Sequence, residues 1–282
     1  FGRLSGVGAQ HYGVPMEPDH TAYLAAIQRE STRFRDVLAG VDPDARVPSC
    51  PEWTAADLLW HLTVVQEFWA GVVRNRPAAP TDDGEPPRPD VPYAELLARY
   101  DTALAGLLDA LGSADPSEPA WSWSEEQRVA FTYRRMAHEA LVHRIDAEEA
   151  GGARTPLDPA LAGDGVAEAL GIMLGGCPDW ATFTGGGGRV RVELTDAGAA
   201  LTVELGRFQG TGPESGREFD DPTLVVLDEP VDADVTIRGT AEAVDTWLWR
   251  RGDADALARQ IEVDGDRGVY ERFRALVDQP IL

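Results

Sequence analysis

Hydrophobic positions recur at helical spacing through the first half of the chain. Tyr23, Ile27, Phe34 and Leu38 form one stripe, with Asp19 ahead of it as a helix-capping residue and Gly40 behind it as a stop. Thr54-Ala55-Ala56-Asp57 opens a second helix as a capping arrangement, and Leu58, Leu62, Val65, Phe68, Trp69 and Val72 carry it to about Arg74. Residues 75–92 contain six prolines and read as an exposed loop. A third stripe runs from Tyr93 to Leu111 and a fourth from Glu126 to Ala150, where Gly151-Gly152 ends it. Four such helices predict an antiparallel four-helix bundle, with the long loop as its crossover.

The period changes in the second half. A helix from Pro159 to Leu174 leads to the glycine run Gly185–Gly188. Strand patterns follow at Val190–Leu194, Leu201–Leu205, Leu224–Leu227 and Val235–Arg238, with Ala197-Gly198 as a hairpin turn. A helix over Ala241–Arg251, a short strand over Ile261–Val263 and a helix over Val269–Val277 close the chain. Strands grouped before helices predict a small α+β domain. The expected organisation is a bundle over 17–150, a linker over 151–158 and an α+β domain over 159–282. The glycine run lacks the lysine of a phosphate-binding loop and precedes a strand, so it is no phosphate cradle.

Composition narrows the function. The chain has 282 residues and a net charge of −23, from 25 basic against 48 acidic side chains. A hydrophobic content of 43% supports packed cores and rules out wholesale disorder. A pI near 4.5 argues against a nucleic-acid partner and against anionic lipid surfaces. No apolar run reaches the ~18 residues of a membrane span. Lysine is absent and asparagine occurs only at Asn75, while Ala, Gly, Pro, Asp and Arg dominate. That bias marks a GC-rich genome and suggests an actinobacterial source. Cys50 and Cys177 form no CxxC motif or disulfide framework, which fits a reducing, cytoplasmic setting. Residues 1–15 contain no long apolar stretch and Met16 is a candidate start, so they are set aside from the fold argument.

The chemistry concentrates on two helices. In His138-Glu139-Ala140-Leu141-Val142-His143, Glu139 and His143 are four apart and share a helix face, whereas His138 is rotated away. His61 lies among Leu58, Leu62 and Val65 on the second helix. If the second and fourth helices are neighbours, His61, Glu139 and His143 make a two-histidine, one-carboxylate set. Such a set suits Zn²⁺, Fe²⁺ or Ni²⁺ with positions left open. The competing reading is a polar i,i+4 pair beside an ordinary core histidine. Asp146, three beyond His143, either orients a ligand imidazole or serves as acid or base. Cys50 is read as a packing residue at the start of the second helix, and Cys177 has no assigned chemistry. Trp121 and Trp123 are read mainly as packing. Trp247 is read as core, and Trp249 as lining the cleft between the domains.

Residues Val47 to Leu62, with Pro48, Cys50, Pro51, Trp53, Thr54, Asp57 and His61, resemble the opening motif of the mycothiol-dependent maleylpyruvate isomerase family. That family is a branch of the DinB-like metalloprotein superfamily. Met136 to Glu148 is similar to its second motif, and Ala233–Gly239 with Trp247–Arg251 to its sterol-carrier-like C-terminal domain. The resemblance spans roughly residues 19–280. Glu52 and Ile145 stand where the family usually has a glycine and an aromatic residue. The resemblance implies a DinB-like four-helix bundle followed by a small α+β domain. It implies His61, Glu139 and His143 as metal ligands, zinc as the usual metal, and Asp146 as an acidic residue that matters in catalysis. Arg251 corresponds to a functional arginine, with Arg250 as its ambiguous neighbour, and Arg250 and Trp249 fall where cofactor contacts are expected. The implied cofactor is mycothiol, a cysteinyl pseudo-disaccharide thiol.

The resulting expectation is a metal-dependent thiol transferase or isomerase acting on a small electrophile, as a monomer or weak homodimer. Arg251 would reach from the second domain to clamp a substrate carboxylate. A metal-activated-water hydrolase on the same ligands and a non-catalytic lipid or small-molecule binder are the alternatives.

Overall fold

The computed structural model describes residues 18–81, 84–213, 215–228, 231–252 and 259–279. His11 and the proposed start at Met16 lie outside the described residues. The chain divides into two compact units.

The helical unit comprises Pro18–Leu161 and a segment from Thr246 that carries Trp249, Arg250 and Arg251. Its elements are α1 (His20–Leu38), the hairpin strands β1 (Arg46–Val47) and β2 (Cys50–Thr54), α2 (Ala55–Asn75), α3 (Tyr93–Gly112) and α4 (Val129–Ala150). Asp19 caps α1 through the Ala22 amide, and Thr54 and Asp57 form a reciprocal capping box on α2. The helix starts and stops read from the apolar stripes therefore hold for α1, α2 and α3. Helix α4 starts three residues later than its apolar pattern suggests. Ser122 and Gln127 side chains take up the carbonyls of Ser122, Ser124 and Glu126, leaving the chain ahead of Val129 in a side-chain-bonded turn.

Helix α1 packs on α4 and α3, and α2 packs on α3 and α4. The long loop after α2 thus joins neighbouring helices and carries no crossover, which corrects the expectation from loop length. The diagonal connections are the hairpin between α1 and α2 and the segment between α3 and α4. Buried Phe34, Leu38, Leu58, Leu62, Leu96 and Tyr100 fill the core near the hairpin. The turn of the hairpin presents Ser49, and its second strand leads directly into α2 and His61.

The second unit is α+β. Helix α5 (Pro159–Glu168) continues into a π-helical turn over Ala169–Met173. The sheet contains β3 (Ala181–Thr184), β4 (Arg189–Leu194), β5 (Ala199–Thr211), β6 (Glu218–Leu227), β7 (Val235–Gly239) and β8 (Glu262–Gly265). Strand β5 is central and long. One of its edges pairs with β6, and the other with β4 and then β3. The outer order continues β4-β7-β8, with β4 and β7 parallel and the remaining pairs antiparallel. Gly198 takes φ +61° in the β4–β5 turn, where a side chain would be strained. Helices α6 (Ala241–Leu248) and α7 (Arg267–Val277) complete the described elements. The fold class is the expected one, a helical bundle with an α+β unit. Strands β1, β2 and β3 are not legible in the sequence because β1 and β3 are too short to set a period and β2 lacks apolar alternation.

Helix α6 ends at Leu248 instead of running to Arg251. Arg250 adopts φ +58°, its amide bonds the Trp247 carbonyl at 3.1 Å, and the Arg251 amide bonds the Thr246 carbonyl at 2.8 Å. This is a Schellman stop with arginine in the left-handed position normally held by glycine. It turns Arg251 off the helix axis.

Candidate metal centre

His61 projects from α2, and Glu139 and His143 from α4, at the contact between these two helices. One ligand atom from each lies within 4.8 Å of the others. His143 Nε2 is 3.1 Å from Glu139 Oε2, and the His61 and His143 rings are 5.0 Å apart, edge to face. A tetrahedral zinc ion with bonds of ~2.0–2.1 Å spaces its ligands about 3.3 Å apart. The 3.1 Å pair is already near that spacing, and two imidazoles with a carboxylate are donors that a divalent transition ion takes, so the donor set fits such an ion. His138, by contrast, is buried edge-on to Tyr23 at 6.4 Å, as its helical offset required. His20 packs edge-on to Tyr133 at 5.3 Å.

Each member of the trio has a partner behind it. His143 Nδ1 meets Asp146 Oδ2 at 2.9 Å. Asp146 is fully buried, and its remaining capacity is filled by a bidentate pair from Arg251 at 2.9 and 3.0 Å and by a short hydrogen bond from Ser49 Oγ. Arg251 also donates to the Trp249 carbonyl at 2.7 Å. Glu139 Oε1 lies 3.3 Å from Arg135 Nη2, whose guanidinium sits 5.3 Å over the Trp249 ring. His61 Nδ1 is 3.0 Å from Glu85 Oε2 in the loop after α2, and Trp53 packs on the His61 ring at 4.7 Å.

The electrostatics follow from these pairs. Burial works against a charged His143, but the hydrogen bonds to Asp146 and Glu139 outweigh it and raise the imidazole to about 9. Burial likewise favours neutral Glu139 and Asp146, yet Arg135 and His143 hold Glu139, and His143 and Arg251 hold Asp146, well below the usual carboxylate range. His61 is pushed down by burial and by the nearby His143 charge. Burial and then the Asp146 charge push the Cys50 thiol up, so it is an un-ionised thiol at neutral pH.

The structure therefore brings together His61, Glu139, His143, Asp146 and Arg251, all within the helical unit. Arg251 meets Asp146, and its segment clusters with the helical unit. Arg250 is exposed, and Trp249 is buried with an indole N–H that has no hydrogen-bond partner among the described residues. Sequence reasoning missed Ser49, Trp53, Arg135 and Glu85. Arg135 had a signal, because Arg135, Glu139 and His143 step by four along one helix face. Ser49 and Trp53 lie in the quoted motif without a chemical cue of their own, and Glu85 gave none.

Comparison with known proteins matches two family models in sequence along the chain. The Mycothiol maleylpyruvate isomerase N-terminal domain matches residues 24–148, and the MDMPI C-terminal domain matches residues 160–272. Among solved structures, a His→Ala mutant of the mycothiol-dependent maleylpyruvate isomerase aligns at TM-score 0.58 and 12% identity, covering 88% of this chain and 95% of that one. A second structure of the mycothiol-dependent maleylpyruvate isomerase aligns at TM-score 0.56 with the same identity and coverage. At this identity the likeness concerns the fold. No curated protein matches the chain. No described helix is long and apolar enough to cross a membrane.

Proposed function

The chain belongs to the mycothiol-dependent maleylpyruvate isomerase family, and from that premise we propose that it is a metal-dependent thiol transferase or isomerase using mycothiol on a small electrophile. The observation that carries this reading is the convergence of His61, Glu139 and His143 at the α2–α4 contact. A divalent ion in that set, with zinc the best match to two imidazoles and a carboxylate, would hold a thiol sulfur as thiolate, and a thiolate adds to an electrophilic carbon either with loss of a leaving group or reversibly to turn a cis double bond trans.

The chain's own residues hold and tune that set. Asp146 fixes the His143 ring by taking the Nδ1 side, which leaves Nε2 facing Glu139. Arg251 and Ser49 hold Asp146 in place, so Asp146 acts as a positioning residue with no oxygen left over for a substrate proton. Arg135 orients Glu139. Trp249 offers its indole N–H, and Arg250 an exposed guanidinium, as contacts for the thiol cofactor. Cys50 stays protonated and leaves the reactive sulfur to the cofactor.

The test is metal analysis of the purified chain followed by assay against a panel of electrophiles with and without mycothiol. Turnover that needs both metal and mycothiol supports the proposal. Turnover with metal alone supports the hydrolase reading instead, and a metal-free protein with a bound lipid supports the carrier reading.

A further inference from the structure

The described parts of the proline-rich loop after α2 lie against that helix, and together they line an open cleft of about 800 Å³, a size that takes a small organic molecule. Val64, Phe68, Gly71 and Val72 of α2 form one wall, and Ala79 and Pro86 of the loop face them. The loop is tied down at three points. Trp60 Nε1 donates to the Pro86 carbonyl at 2.9 Å, Arg88 pairs with Asp57 at 2.8 Å, and Glu85 meets His61 Nδ1 at 3.0 Å. Glu85 also lines the cleft, so one carboxylate joins the cleft to His61.

The walls define what can sit there. Among the described residues, the only ionisable groups lining the cleft are the carboxylates of Glu67 and Glu85. Arg76 and Arg88, the loop arginines, are paired with Glu118 and Asp57. The two guanidiniums beside the metal set, Arg135 and Arg251, are paired with Glu139 and Asp146. A carboxylate in this cleft would face the like charges of Glu67 and Glu85, with no cation among the described lining residues. The cleft therefore disfavours a dicarboxylic acid.

We infer that this cleft is the acceptor site for the electrophile, and that the body of the electrophile is uncharged and apolar. The inference rests on the thiol-transfer reading for the word electrophile, but its binding chemistry stands apart from it.

The test compares two probes of equal shape, naphthalene-1-methanol and 1-naphthoate, titrated calorimetrically into the full chain as purified with no thiol added. The neutral probe should bind at one site at least tenfold more tightly than the anion. A Cβ at Gly71 meets nothing within 4 Å, so Gly71→Leu projects into the cleft without striking backbone and improves helix propensity. That variant should weaken naphthalene-1-methanol binding at least tenfold with unchanged helicity. Glu67→Gln combined with Glu85→Gln should narrow the preference over naphthoate. Naphthoate binding as tight as the neutral probe, no binding of either, or wild-type binding by Gly71→Leu overturns the proposal. Because no thiol enters the measurement, its failure is distinguishable from failure of the thiol-transfer reading.

Discussion

Arg251 holds Asp146 through two parallel hydrogen bonds, Nε to Oδ1 at 2.9 Å and Nη2 to Oδ2 at 3.0 Å. Asp146 in turn holds His143, so a residue beyond α6 fixes the orientation of an imidazole on α4. Lysine offers a point charge and cannot make the parallel pair. Arg251→Lys should therefore weaken metal binding by about 10–100-fold, read by competition with a chelator. Activity should fall at least tenfold, about 1.4 kcal/mol. Metal affinity unchanged alongside lost activity would instead mark Arg251 as a substrate contact.

The same pair has a stability consequence. Asp146 is fully buried and the Arg251 side chain is 16% exposed, so removing one charge strands the other. Asp146→Ala should destabilise the protein by about 3–5 kcal/mol in urea unfolding. The double variant Asp146→Leu, Arg251→Met should recover most of that loss, because no unpaired charge remains. A double variant as unstable as the single would show that packing, not charge, dominates the position.

Metal uptake should be stoichiometric and proton-linked. One equivalent of a divalent transition ion should copurify with the wild type, and His61→Ala and His143→Ala should lose it while circular dichroism stays helical. In the metal-free protein His143 titrates near 9, above the ordinary 6.5, so it carries a proton at pH 7.5 that metal must displace. Calorimetry in buffers of different ionisation enthalpy should report about one proton released per ion at pH 7.5. The raised value also makes the protonated ring stabilise the metal-free fold. That contribution is complete below pH 6.5 and is lost as pH rises through about 9. Melting of the metal-free wild type should drop over that window, and His143→Ala should flatten the drop.

The candidate metal set is legible in the sequence because its residues sit on periodic helices. Glu139 and His143 are bound by the four-residue step, and the Thr54–Asp57 capping box fixes the start of the helix that carries His61. What supports the set is harder to see. Asp146 has its partners 97 and 105 positions away, at Ser49 and Arg251, and no local pattern links such distances. The end of α6 is hidden for a different reason. Trp247, Leu248 and Trp249 continue an apolar run, and the stop is made by a backbone conformation at Arg250 that composition does not signal.

Arg250 offers the sharpest separation of that local strain from function. A non-glycine residue in the left-handed region costs roughly 1–2 kcal/mol, and glycine at this position of a Schellman stop removes that cost. The two amide bonds that define the stop, Arg250 to Trp247 and Arg251 to Thr246, do not involve the Arg250 side chain. Arg250→Gly should therefore keep the turn, leave Arg251 on Asp146, and raise stability by about 0.5–1 kcal/mol in urea unfolding. Metal content should be unchanged, since the ligands and the Arg251–Asp146 pair stay in place. If the Arg250 guanidinium contacts the thiol cofactor, the same variant will raise the KM for mycothiol while the gain in stability persists. A loss of stability in Arg250→Gly would mean that the side chain anchors the segment more strongly than the left-handed backbone strains it.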